Sequence, residues 1–162
     1  RRFPVIDVIR PDDLVEADWP LIEAAFKKWA AAKTHQDKMA CLRELLKSDE
    51  SLIWNWAIEA LQSFGLGRRP LSGEEVGEWN EIISSDAYSD GTRVELLEVV
   101  LHSNWQGFRD QLLVLPQDLD MGWHEISSMK HQCKPPGGYP DDPETQRILQ
   151  VLDKLIEDRR RD

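Results

Sequence analysis

Apolar residues recur every three or four positions along most of the chain, the period of an amphipathic helix. Leu21, Ala25, Trp29 and Ala32, with Ile22 and Phe26 beside them, form one such face. That helix is expected to start near Asp18, a good N-cap, with Pro20 tolerated in its first turn. A second helix should follow Thr34, its stripe made by Met39, Leu42, Leu45 and Leu46, and Ser48 or Asp49 is placed to cap a third. The third, about residues 50–64, is apolar around roughly two-thirds of its circumference, with Asn55, Glu59 and Gln62 on one narrow polar line. A helix this apolar is either central in its bundle or buried by a partner. Gly65 suits the position just past its end.

Ser72 and Glu75 have the spacing of a capping box, and a fourth helix carries Val76, Trp79, Ile82 and Ile83. Asp90 opens a fifth, in which Val94, Leu97, Leu101, Trp105, Phe108 and Leu112 share a face, with Leu96, Val99 and Val100 off it. Asp118 is expected to cap a sixth, with Leu119, Trp123, Ile126 and Met129. Four prolines and two glycines between Lys134 and Pro143 exclude helix there. The last helix, about 144–160, uses Ile148, Val151, Leu152, Leu155 and Ile156.

The pattern predicts an all-α fold, an irregular helical bundle of about seven helices. It is expected to form a single helical domain over residues 1–162: an extended segment 1–17, a main bundle 18–133, a Pro/Gly loop 134–143 and a C-terminal helix 144–160. Residues 3–9, β-branched and framed by Pro4 and Pro11, and residues 111–115, just before Pro116, are candidates for a minimal two-stranded element.

Composition adds an unusual aromatic choice, seven Trp against two Tyr. Trp29, Trp54, Trp79 and Trp105 are spaced 25, 25 and 26 residues apart, which raises the question of a helical repeat. Their flanks differ: Phe26 and Val76 precede two of them by three residues, Ser51 and His102 the other two. Helices of similar length with one core Trp each produce the same spacing, so an irregular bundle is favoured. No apolar run approaches the ~18 residues of a membrane span, which removes a spanning role, and no signal-peptide pattern is visible, so a cytoplasmic setting is the expectation. The chain begins at Arg1 and not at methionine, from which a processed product or a part of something longer is expected. Two cysteines, Cys41 and Cys133, are too few for a disulfide framework or a four-thiolate zinc site.

The net charge of −10 is concentrated: residues 51–100 hold three basic and nine acidic side chains. Such a surface repels phosphate backbones and attracts basic proteins, so a protein partner, basic in character, is expected ahead of nucleic acid. The alternative is that these acids are solvated helix surface that keeps the chain soluble.

Candidate chemistry is thin. His124 and His131, with Cys133 and Glu125 nearby, are ligand types, but the two histidines are seven residues apart, about 10 Å along a helix, too far for one ion. No metal and no cofactor is expected. Cys133, beside Lys134 and two prolines, is expected to be exposed and is the better candidate for a reactive thiol, whereas Cys41 reads as core. Gly65-Leu66-Gly67-Arg68-Arg69 could cradle an anion but lacks the P-loop pattern. The carboxylates of Glu74, Glu78 and Glu81 share a helix face and would serve catalysis only in a cleft. Trp54 and Trp56 point about 160° apart, so if Trp56 faces the core, Trp54 and Ile58 face a second layer or a partner.

The leading expectation is therefore a non-enzymatic helical protein–protein interaction domain, either a regulatory module of a larger protein or an inhibitor or immunity-type protein for a basic partner. Its partner-binding residues would be Trp54, Ile58, Glu74, Glu78 and Glu81. One alternative is a small-ligand or enzymatic domain with the 134–143 loop as a lid over His124, His131 and Cys133. Another is a self-associating scaffold, a homodimer through Trp54.

Overall fold

The computed structural model describes residues 19–63 and 70–162. The fold is all-α, as the periodicity predicts, with no strand among the described residues. The helices fall into two compact units, α1–α3 and α4–α9.

The first unit holds α1 (Trp19–Ala31), α2 (His35–Leu46) and α3 (Ser51–Ser63). Each helix packs on the other two. Helix α2 follows Thr34 as expected, and Thr34 caps it, its hydroxyl oxygen accepting from the Asp37 amide at 3.0 Å. The core is built by Ile22, Ala25 and Trp29 from α1, Met39, Leu42, Leu45 and Leu46 from α2, and Ile53, Trp56, Ala57 and Leu61 from α3. Trp29 and Trp56 meet edge to face, ring centroids 6.4 Å apart, and the Lys38 ammonium lies 4.3 Å from the centre of the Trp29 ring. The helix start at Asp18, the glycine stop at Gly65 and the loop glycines and arginines 65–69 lie outside the described residues, as do residues 3–9.

The second unit holds α4 (Gly73–Ile83), α5 (Asp90–Ser103), the single turn α6 (Trp105–Phe108), α7 (Gln111–Asp118), α8 (Trp123–Gln132) and α9 (Pro143–Arg161). The Ser72–Glu75 capping box forms with both of its hydrogen bonds. Ser89 caps α5, accepting from the Thr92 amide at 3.2 Å. Helix α5 is the centre of this unit and packs on α4, α6 and α8. It buries Leu96, Leu97, Val100 and Leu101 together with Thr92 and Arg93, about half of its circumference.

Three sequence expectations need correction here. The expected stripe from Val94 to Leu112 is not one helix. The Asn104 side chain accepts from the Gly107 amide at 3.0 Å, ending α5 and starting α6, as asparagine does when it competes with the helical ladder. Residues 111–115 are helical within α7, so they are not half of a two-stranded element. Asp118 does not cap the next helix; it is the last residue of α7. Helix α8 starts five residues later, with Glu125 reaching back to the Gly122 amide at 3.1 Å.

A carboxylate at a helix C-terminus faces the negative end of the dipole. At Asp118 the guanidinium of Arg93 compensates, ion-paired to it while its Nε donates to the Ile83 carbonyl at 2.6 Å. Arg93 is 3 % exposed and so ties the ends of α4 and α7 to the central helix. The turn after α7 puts Asp120 at φ 48°, with the Met121 amide bonded to the Pro116 carbonyl at 2.9 Å, a Schellman-type stop. Arg159 of α9 donates to the carbonyls of Pro116 and Met121.

The four tryptophans do not occupy equivalent places. Trp29 sits near the end of α1, Trp54 in the first turn of α3, Trp79 in the middle of α4, and Trp105 opens α6. Their regular spacing is not a structural repeat.

Candidate functional site

The sequence-predicted partner residues divide between the units. Trp54 and Ile58 belong to the first; Glu74, Glu78 and Glu81 belong to the second. Ile58 is buried, 8 % exposed, and Trp54 is half-buried, so Ile58 offers little area to a partner. An α3 apolar on most sides is already engaged by its own surroundings. On α4, Glu74 and Glu81 are exposed and Glu78 is half-buried. The same exposed side carries Gly77, where an added Cβ would meet nothing within 4 Å. Gly77→Ala should therefore raise stability by about 0.5–1 kcal/mol through helix propensity alone. Urea denaturation checks this; a loss of stability would mean that this face is covered.

The side chains expected to gather under the 134–143 loop do not gather. His124 and His131 are both exposed on α8, but His124 lines a groove toward α5 while His131 lines a separate polar cleft toward α9. Cys133 reaches neither. It is 0 % exposed, and burial pushes its thiol up to about 12, with the Glu98 charge adding to the effect. The expectation of an exposed reactive thiol is thus overturned, because the last turn of α8 rotates Cys133 inward beside Met129 and Ile126. Among the described residues no group of three His, Cys, Asp or Glu could hold a metal ion.

The loop itself is anchored. Gly138, at φ 89°, closes a turn in which its amide donates to the Pro135 carbonyl at 2.9 Å. The Tyr139 hydroxyl donates to the Lys130 carbonyl, and its ring lies edge-on to Trp105 with centroids 5.4 Å apart. Trp105 Nε1 donates to the buried Thr145 hydroxyl at 2.9 Å, and that hydroxyl donates to Asp142 at 2.8 Å. Asp142 also accepts from the Thr145 amide at 2.9 Å, the N-cap of α9, and these bonds hold its carboxyl below the usual range. The loop is a strut that seats α9, with its polar groups spent on that task.

A groove that sequence reasoning did not find runs between α5 and α8 and has a volume of about 440 Å³. Asp90, Gly91, Val94 and Glu95 form one wall and His124, Glu125, Ser128, Met129 and Gln132 the other, with Leu119 and Met121 at the end. Three of these are acids and none is Lys or Arg. The floor is apolar, with Val94 and Leu119 half-buried above the buried Met121 and Met129.

The charge around this groove follows from how the unit uses its cations. Arg93 pairs with Asp118, Arg109 with Asp142, Lys130 with Asp153, Arg147 with Glu144 and Arg161 with Glu157. Among the described residues, Glu74, Glu81, Asp90 and Glu95 form no ion pair. Five of the unit's described cations are thus neutralised by carboxylates within it, and Arg159 is taken up by backbone carbonyls, while α4 and α5 keep carboxylates that no described cation pairs. Burial, then the Glu95 charge, raises the Glu98 carboxyl above its ordinary value. Among the described residues no helix is long and apolar enough to cross a membrane.

No protein-family model matches this chain, and neither the curated proteins nor the solved structures contain a match to it.

Proposed function

We propose that this chain is a non-enzymatic helical interaction domain for a basic protein partner, serving as a regulatory module of a larger protein or as an inhibitor or immunity-type protein. The observation that carries this reading is the set of carboxylates without ion pairs on α4 and α5, Glu74, Glu81, Asp90 and Glu95, in a unit where five of the described cations are already paired with other acids. Uncompensated charge of one sign steers encounter with the opposite sign and raises the on-rate. The scattered placement of His124, His131 and Cys133 supports the same reading over a catalytic one, since acid–base or nucleophilic chemistry needs its groups within hydrogen-bond reach of each other.

Titration with a lysine-rich peptide in a calorimeter, at low and high salt, tests the proposal. Binding should weaken as salt rises, and the double variant Glu74→Lys, Glu81→Lys should weaken it at least fivefold at low salt. A peptide that shows no binding at low salt, or a double variant that binds as tightly as the parent, refutes a basic partner.

A further inference from the structure

The groove between α5 and α8 combines two properties that the general acidity of α4 does not. It has an apolar floor, Val94, Leu119, Met121 and Met129, and it has acids on both walls, Asp90 and Glu95 on one and Glu125 on the other. We propose that this groove docks one amphipathic helix of a partner protein, an aliphatic stripe seated on the floor and flanking lysines or arginines paired with Glu95 and Glu125. The inference rests on the basic-partner reading above and adds to it the place and the form of the contact.

Shape argues for a helix. The groove is open to solvent and is bounded by two helices. Its α8 wall runs from His124 to Gln132, about 12 Å at 1.5 Å per residue, or two turns of a third helix. Side chains in the valley between two helices receive the ridge of another by ordinary helix packing. Charge argues for a cationic one. The acids stand where the flanking residues of a seated helix would lie, and no lining residue is Lys or Arg. Val94 and Leu119, half-buried, present the accessible apolar surface of the floor over the buried Met121 and Met129.

Gly91 provides a clean block. It lines the groove at the second position of α5, and an added Cβ there would meet nothing within 4 Å. Gly91→Trp should leave the fold intact and fill the mouth. The probe is a fluorescent 14-residue Leu/Lys peptide with helical spacing of its leucines, compared with a scrambled peptide of equal composition and with a Leu/Glu counterpart. Anisotropy should show the helical peptide binding at least tenfold more tightly than the scrambled one, and the Leu/Glu peptide not binding. Gly91→Trp and, separately, Glu95→Lys should each cost the helical peptide at least tenfold, with circular dichroism unchanged.

If both Leu/Lys peptides bind equally and Gly91→Trp changes nothing, while Glu74→Lys with Glu81→Lys weakens both, the groove inference fails and the basic-partner reading stands. If neither peptide binds, both fail. If light scattering shows a dimer that Gly91→Trp dissolves, the occupant is a second copy of this chain, and the partner-helix inference is overturned.

Discussion

Replacing Trp79 by alanine should cost about 3–5 kcal/mol of unfolding free energy, a large part of what a domain of this size possesses. Trp79 is 0 % exposed in the middle of α4, on the face that packs against α5 and α6. Removing the indole leaves a cavity that the surrounding helices can close only in part. Trp79→Phe separates two contributions. The indole nitrogen is buried and finds no hydrogen-bond acceptor among the described residues. A desolvated, unpaired donor costs about 1–3 kcal/mol, and phenylalanine removes that penalty while keeping most of the ring. The phenylalanine variant should therefore lose less than half of what the alanine variant loses. Urea midpoints followed by far-UV circular dichroism decide the matter; equal losses would show that the shape of the indole, and not its unpaired donor, governs the site.

The second large effect is alkaline. The Cys133 thiol is raised from its ordinary 9.0 to about 12 by burial, so the native state holds this proton more tightly than the unfolded chain does. Below pH 9 both states are protonated and the contribution is fully present. As pH climbs from 9 toward 12 the unfolded chain ionises while the native thiol does not, and up to about 4 kcal/mol of stability is lost. Tyr139 is raised as well, first by burial and then by Cys133, and acts in the same direction at higher pH. Cys133→Ala isolates the thiol. Between pH 9.5 and 11 the parent should lose about 1.4 kcal/mol per pH unit more than the variant does. The comparison uses slopes, because the variant also carries a constant packing loss. Parallel slopes would place the Cys133 sulfur in contact with water.

What the sequence disclosed was what is local. The helix start after Thr34 and the cap at Ser72 with Glu75 were legible because such a signal is decided within four residues. The misreadings came where a distant group overrides a local preference. Asp118 resembles an N-cap, yet it ends α7, because Arg93, twenty-five residues earlier, supplies the cation that a terminal carboxylate lacks. Residues 111–115 lead into a proline and look extended, yet α7 runs through Pro116 and ends two residues later, so only a short stretch of the ladder is disturbed. Cys133 lies next to a loop in sequence but faces the core by helical phase. The groove was hidden for a related reason. Its walls come from helices about thirty residues apart, and periodicity states which face of each helix is apolar without stating which helix lies beside it.

The two cysteines have a practical bearing. Cys41 and Cys133 are this chain's only thiols, both are unbridged, and both are buried. The folded surface is therefore close to silent toward maleimides. A single cysteine introduced at Gly91, where the added side chain has open space, becomes a unique attachment point for a dye or a crosslinker at the lip of the groove. The protein's own interior thus prepares it for site-specific labelling, and whatever seats itself between α5 and α8 can be caught by proximity before it is known by name.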